Sequence, residues 1–167
     1  MRDSDPSGRP RGRAAAARLV AAAAAARARA VAAYSGFQVG AALETRGGDV
    51  ITGCNIENAS YGLTMCAERV ALFKALSEGH RQFRRLAIVT GADAPTAPCG
   101  ACRQLLWEFA GDIAVVAATL DGKTARWRTK ALLPAPFDAR SIGRPRGAQS
   151  ARDSTQRGDR RGTRSKR

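Results

Sequence analysis

Two short motifs about thirty residues apart, Cys66-Ala67-Glu68 and Pro98-Cys99-Gly100-Ala101-Cys102, constrain this chain more than any other feature. Together they bring three thiolates and one carboxylate to whatever fold holds them. A tetrahedral zinc held by three protein ligands keeps its fourth position for water, which is the layout of a catalytic site, whereas a structural site is closed by a fourth ligand. The single histidine, His80, follows a helical stretch among charged residues and reads as a surface residue, so no fourth ligand is evident. The reading is therefore Cys66, Cys99 and Cys102 on zinc, with Glu68 two residues from a ligand, where it can carry protons for the water.

The spacing supports this. Cys99 and Cys102 are three apart, which puts both sulfurs on one face of a helix. Pro98 suits the entry to that helix, and a helix N-terminus favours the thiolate. Cys66 opens a second helical stretch, so two N-termini can point at one metal. Three thiolates overcompensate a dication and weaken it as a Lewis acid; Arg69, directly after Glu68, is placed to withdraw charge from the sulfurs. Arg103, beside Cys102, is read either in that role or as a structural contact. Cys54 is left over and is expected as a buried strand residue.

A second constellation runs Gly53-Cys54-Asn55-Ile56-Glu57-Asn58-Ala59-Ser60-Tyr61-Gly62. In extended chain the side chains of Asn55 and Glu57 emerge on one face. An amide beside a carboxylate matches a sugar diol, although polar residues after a strand are also ordinary turn-formers. Phe37 and Val39 are expected on one strand face, either walling a slot for a flat base or sitting in the core.

Patterning predicts a helix over 14–32, a strand over 37–45, a turn at 47–49 and a strand over 50–54. A loop to 64, a helix over 65–78, a strand over 86–90, a helix over 100–109, a strand over 113–118 and a last strand over 124–128 follow. A hairpin and then alternating strands and helices indicate an α/β domain with a mixed sheet.

The chain has 167 residues and a formal charge of +14, from 28 Lys and Arg against 14 Asp and Glu. Much of this lies at the ends. Residues 1–13 hold four Arg and two Asp, and residues 138–167 hold ten basic and three acidic residues, which leaves 14–137 with fourteen basic and nine acidic, about +5. The ends lack hydrophobic periodicity and are expected to be disordered, with 14–137 as the domain. A solvated tail and an arm contacting RNA or membrane share this composition. The run Arg18-Leu19-Val20-Ala21 to Ala26 is short, nearly all Ala and followed by Arg27 and Arg29, which suits neither a signal h-region nor a span. It shares features with an Arg-rich transit peptide but is read as an amphipathic helix. The cysteine spacing fits metal binding in a reducing compartment, hence a cytoplasmic location.

With these residues in place, the chain resembles the short, homotetrameric cytidine deaminases of free nucleosides. The likeness runs from Tyr34 to Phe137 through Tyr34-Ser35-Gly36-Phe37-Gln38-Val39-Gly40-Ala41-Ala42-Leu43, the Gly53–Gly62 stretch, Cys66-Ala67-Glu68-Arg69, Pro98-Cys99-Gly100-Ala101-Cys102-Arg103-Gln104 and Leu132-Leu133-Pro134. It implies a three-layer α/β/α fold, one zinc per chain on Cys66, Cys99 and Cys102, and Glu68 as the proton shuttle. Asn55 and Glu57 would hold ribose hydroxyls, Ala59, Tyr61 and Ala67 would line the pocket, Phe37 would meet the base, and Phe137 would reach into a neighbouring subunit's site. The implied activity is hydrolysis of cytidine and deoxycytidine to uridine and deoxyuridine in pyrimidine salvage. Deamination of blasticidin S, by enzymes sharing the same two cysteine motifs, is the alternative, and a zinc-stabilised nucleic-acid binder using the basic ends is a third. Ala33, where such proteins often carry Pro, and both extensions depart from the pattern.

Overall fold

The computed structural model describes residues 10–143. In chain order they form α1 (Pro10–Arg27), β1 (Val39–Thr45), β2 (Val50–Cys54), α2 (Ala67–Ser77), β3 (Phe83–Thr90), α3 (Gly100–Ala110), β4 (Ala114–Thr119), β5 (Thr124–Arg128) and α4 (Thr129–Leu132). The sheet runs β2-β1-β3-β4-β5. It is mixed: β3 and β4 are parallel, and every other neighbouring pair is antiparallel.

Alternation along the strands builds two cores. Ala41, Leu43, Leu86, Ile88 and Val115 point to one face, where they meet Ala67, Ala71, Leu72 and Ala75 of α2 and Leu106 of α3. Ala42, Ala87, Val89, Val116 and Ala118 point to the other and pack on Leu19 and Ala23 of α1. With both faces covered, the strands are buried on two sides and read as continuous apolar runs. The result is helix, sheet, helix.

Two glycines set the spacing of these layers. A Cβ on Gly40 would lie 2.0 Å from the carbonyl oxygen of Ala23, so α1 rests directly on β1. A Cβ on Gly53 would lie 2.5 Å from the Ala71 nitrogen and 2.6 Å from the Ala67 oxygen, so β2 lies against the first turn of α2.

Several boundaries differ from the sequence reading. α1 begins at Pro10, so residues 10–13, assigned to a disordered extension, are helical. A first helical position tolerates proline because its missing N–H has no acceptor there, and the Ala-rich run behind it propagates well. The same helix stops at Arg27 and not at 32. The Val31 N–H bonds to the Asn55 carbonyl at 3.0 Å and the Glu57 N–H to the Val31 carbonyl at 2.8 Å, so pairing with the 55–57 segment overrides alanine's helix propensity. β1 starts at Val39, leaving Phe37 in the connection before it. β3 starts at Phe83, hidden in the sequence by Arg84 and Arg85. α4 was not anticipated, being too short for any period.

Contacts divide the chain after Pro134. In the second unit Asp138 caps a short 3-10 turn, accepting from the Arg140 N–H at 2.9 Å. Residues 1–9 and 144–167, which carry most of the expected disordered ends, lie outside the described residues. Among those described, no helix is long and apolar enough to cross a membrane.

Candidate active site

Cys66 is the N-cap of α2 and Cys99 the N-cap of α3, both in extended backbone that turns into helix at the next residue. Cys102 lies one turn into α3 and is 1% exposed. Gly53 lets β2 approach α2, and parallel pairing of β3 with β4 carries α3 over the same face, so the two helix starts converge. The three sulfurs lie within 4.8 Å of one another, and Cys66 Sγ is 3.9 Å from Cys99 Sγ. Two sulfurs bound to one tetrahedral zinc at ~2.3 Å sit ~3.8 Å apart, so the donor set fits that ion in number, chemistry and spacing.

Arg69 adds to the fit. Its terminal nitrogen donates to the Thr64 carbonyl at 2.7 Å and lies 3.6 Å from Cys66 Sγ. Its Nε is buried without an acceptor among the described residues, a cation turned toward a site that gathers thiolates. The hydrogen bond with Cys102, then Arg69 and Cys99, pull the Cys66 thiol down to about 5 against the opposing effect of burial. The same hydrogen bond, together with burial, pushes the Cys102 thiol up.

Glu68 occupies the first turn of α2, 5% exposed. Burial pushes its carboxyl above the usual range; a backbone hydrogen bond opposes this and the Cys66 thiolate adds to it. A carboxyl so placed holds and passes on a proton more readily than a solvated one. All four residues of the two motifs are thus brought together.

The second constellation is also assembled, with its polar atoms committed to the chain. Asn55, buried, accepts the Val39 N–H on Oδ1 at 2.7 Å and donates from Nδ2 to the Phe37 carbonyl at 2.9 Å. Glu57 accepts the N–H groups of Tyr34 and Ser35 and the Ser35 hydroxyl. Both side chains bond to the 34–39 segment. A cleft of ≈ 280 Å³ opens beside it, lined by Tyr34, Ser35, Glu57, Tyr61 and Thr64. Tyr34 and Tyr61 meet edge to face, centroids 6.2 Å apart. Phe37 is 42% exposed, neither on a strand nor in the core. Ala67 is buried at the start of α2, Ala59 is exposed in the 55–66 connection, and Phe137, 68% exposed, belongs to the second unit.

Tyr34, Ser35 and Thr64 were not singled out in the sequence as lining residues. None lies at a diagnostic spacing, although Tyr34 and Ser35 open the Tyr34–Leu43 stretch. Arg103 bonds the Pro98 carbonyl through Nε at 2.7 Å and the Leu132 carbonyl at 3.2 Å, the structural one of its two readings. Cys54 is half-buried, not buried, its sulfur 3.3 Å from the Arg29 carbonyl oxygen. His80 is half-buried 3.9 Å from Asp49, and among the described residues the possible metal ligands that cluster are Cys66, Cys99 and Cys102.

A mixed sheet that presents three cysteine sulfurs and a buried carboxyl group at two helix starts defines a zinc-site protein of the deaminase type. The chain belongs to the cytidine and deoxycytidylate deaminase zinc-binding family, whose model for that region matches residues 14–119. A cytidine deaminase from Halalkalibacterium halodurans is 51% identical over 110 residues, 65% of this chain and 83% of its own length. The crystal structure of a cytidine deaminase from Burkholderia pseudomallei superposes with a TM-score of 0.71 at 48% identity, covering 72% of this chain and 98% of that one. A blasticidin-S deaminase from Bacillus cereus is more distant, 30% identical over 59% of this chain and 76% of its own.

Proposed function

We propose that this protein is a zinc-dependent cytidine deaminase, hydrolysing cytidine and deoxycytidine to uridine and deoxyuridine with release of ammonia. The observation that carries this reading is the cluster of Cys66, Cys99 and Cys102 sulfurs with Glu68 buried two residues from the first. In it the three cysteines hold zinc, which when bound lowers the pKa of a water from 15.7 toward about 7.

Glu68 takes up the proton that the attacking water releases as its oxygen adds to C4 of the pyrimidine. The carboxyl delivers that proton to N3, then carries the water's second proton to the amino nitrogen. The C4–N bond breaks with its electron pair leaving on ammonia. Arg69 withdraws charge from Cys66, offsetting the surplus that three thiolates place on one dication. Asn55 and Glu57 bind the sugar hydroxyls through the amide proton and the acceptor positions that their bonds to the 34–39 segment leave open, Phe37 contacts the base, and Ala59, Tyr61 and Ala67 line the pocket. Phe137 contributes to a neighbouring subunit's site in a homotetramer. A thiolate centre of this kind suits the reducing cytoplasm, where the reaction serves pyrimidine salvage.

Cytidine turnover and metal content measured on the same purified sample test the proposal. One zinc per chain with cytidine turnover supports it. Negligible cytidine turnover, with or without activity on blasticidin S, overturns it.

A further inference from the structure

Glu57 is a carboxylate already in use. Its Oε2 accepts the Tyr34 N–H at 2.8 Å and the Ser35 N–H at 3.0 Å, and its Oε1 accepts the Ser35 hydroxyl. The same Ser35 oxygen accepts the Phe37 N–H at 2.9 Å. A hydroxyl has one proton and two lone pairs. With a backbone N–H directed at its oxygen, the proton is committed to Glu57. Gly36, at φ +67°, makes the turn that brings the Phe37 N–H back onto its neighbour, a conformation a side-chain-bearing residue rarely adopts.

The other backbone group of Phe37 is tied as well, because its carbonyl accepts from Asn55. Phe37 is therefore held at its N–H by Ser35 and at its C=O by Asn55, with no strand ladder involved. A carboxylate offers about four acceptor positions, and residues 34 and 35 fill three of them. The remaining position is on Oε1, and Glu57 lines the cleft together with Ser35. The Ser35 hydroxyl, with the Ser35 and Tyr34 N–H groups, holds Glu57 below its usual range, so the group stays an ionised acceptor.

Resting on the functional reading above, we infer that Ser35 is a positioning residue for substrate. Its one hydroxyl, bonded to both Glu57 and Phe37, fixes the distance between the sugar-binding acceptor and the residue that meets the base. The site is thereby set for nucleosides that carry a sugar hydroxyl to place on Glu57. The hydrogen bonds of Ser35 run to Glu57 and Phe37, the groups that bind, and not to Glu68 or the cysteines, so its effect falls on KM and leaves kcat.

Steady-state kinetics of the wild type, Ser35→Ala and Ser35→Thr on cytidine and on 2′,3′-dideoxycytidine test this. Ser35→Ala should raise KM for cytidine about 10-fold with kcat within about 2-fold, the loss of one hydrogen bond to a charged group. Ser35→Thr keeps the hydroxyl and should restore KM. On the dideoxy substrate, which has no hydroxyl for Glu57, the alanine penalty should shrink below about 2-fold. An unchanged KM for cytidine, or the same penalty on both substrates, overturns the inference. Should the alanine variant not fold, Ser35→Cys, a weaker donor, takes its place and should show the same substrate-dependent rise. No cytidine turnover by the wild type would sink the functional reading and this inference with it. Normal wild-type turnover with an indifferent Ser35 sinks this inference alone.

Discussion

At the scale of single residues, the site separates groups that do chemistry from groups that hold them. Glu68 is the clearest of the first kind: a buried carboxyl with a raised pKa beside a thiolate cluster. Glu68→Gln keeps the shape and removes the exchangeable proton. Turnover of cytidine should fall by about 10²- to 10⁴-fold while metal analysis still finds one zinc per chain; undiminished turnover would falsify the role. Glu57 is of the second kind. Its carboxyl is held below the ordinary 4.5, first by the Ser35 hydroxyl and then by the Ser35 and Tyr34 N–H groups. A group whose folded pKa is depressed contributes stability that is fully present above its unfolded pKa and lost as pH falls through the folded one. The wild type should therefore lose thermal stability on acidification below about 4.5 in part through this carboxylate. Glu57→Gln should show a shallower decline over that window, and melting curves of identical slope against pH would contradict the assignment.

Among the elements, the contact between β2 and α2 positions the site. Gly53→Ala would drive a methyl group to within 2.5 Å of the Ala71 nitrogen and 2.6 Å of the Ala67 oxygen, both backbone atoms that cannot swing aside. Overpacking of this kind costs about 1–3 kcal/mol, and the strain falls on the turn that carries Cys66 and Glu68. Gly53→Ala should lower the melting temperature and release zinc faster to a chelator. Gly62→Ala, where a Cβ meets nothing within 4 Å, should stay within about 0.5 kcal/mol of wild type. Equal behaviour of the two would show that the close approach is unimportant. Arg103 joins the Pro98 carbonyl, just before Cys99, to the Leu132 carbonyl at the end of α4. Arg103→Met should cost about 1–3 kcal/mol by leaving these carbonyls unpaired, read as a lower denaturation midpoint. These contacts mark how far the sequence could be read. The cysteine motifs, the hairpin and the strand–helix alternation were legible because metal chemistry and hydrophobic periodicity act locally. The end of α1 at Arg27 was not, since long-range pairing of Val31 with the 55–57 segment decides it. Nor was the use of Asn55 to brace Phe37 and Val39, because nothing in the spacing of an amide says which backbone it will meet. Phe37 was misplaced for the same reason: its apolar character suggested a strand, while its backbone groups are tied by side chains.

For the whole molecule, the question is what covers the apolar surface around the cleft. Tyr61 is 76% exposed, Leu63 67%, Tyr34 56% and Val31 51%, and all four belong to the segments that form or flank the cleft. Clustered exposed apolar side chains, as where Tyr34 meets Tyr61, mark interaction surfaces more often than scattered ones, and closed symmetry is the usual way for a single chain to cover such a surface with copies of itself. A homotetramer, as proposed, would do so, and would make activity depend on assembly if Phe137 serves a neighbouring site. Four chains of 17.6 kDa give a particle of about 70 kDa, measurable by light scattering. Dilution toward dissociation should reduce cytidine turnover per chain. Phe137→Ala should lower turnover more than it lowers the melting temperature, because a residue acting in another subunit's site contributes little to its own fold. Mixing Phe137→Ala with Glu68→Gln discriminates further. Each mixed tetramer then pairs an intact Phe137 from one variant with an intact Glu68 from the other, so activity should exceed the sum of the separate variants. A monomer of full activity, or a mixture no better than its components, would place the whole site within one chain and leave the exposed tyrosines to another purpose.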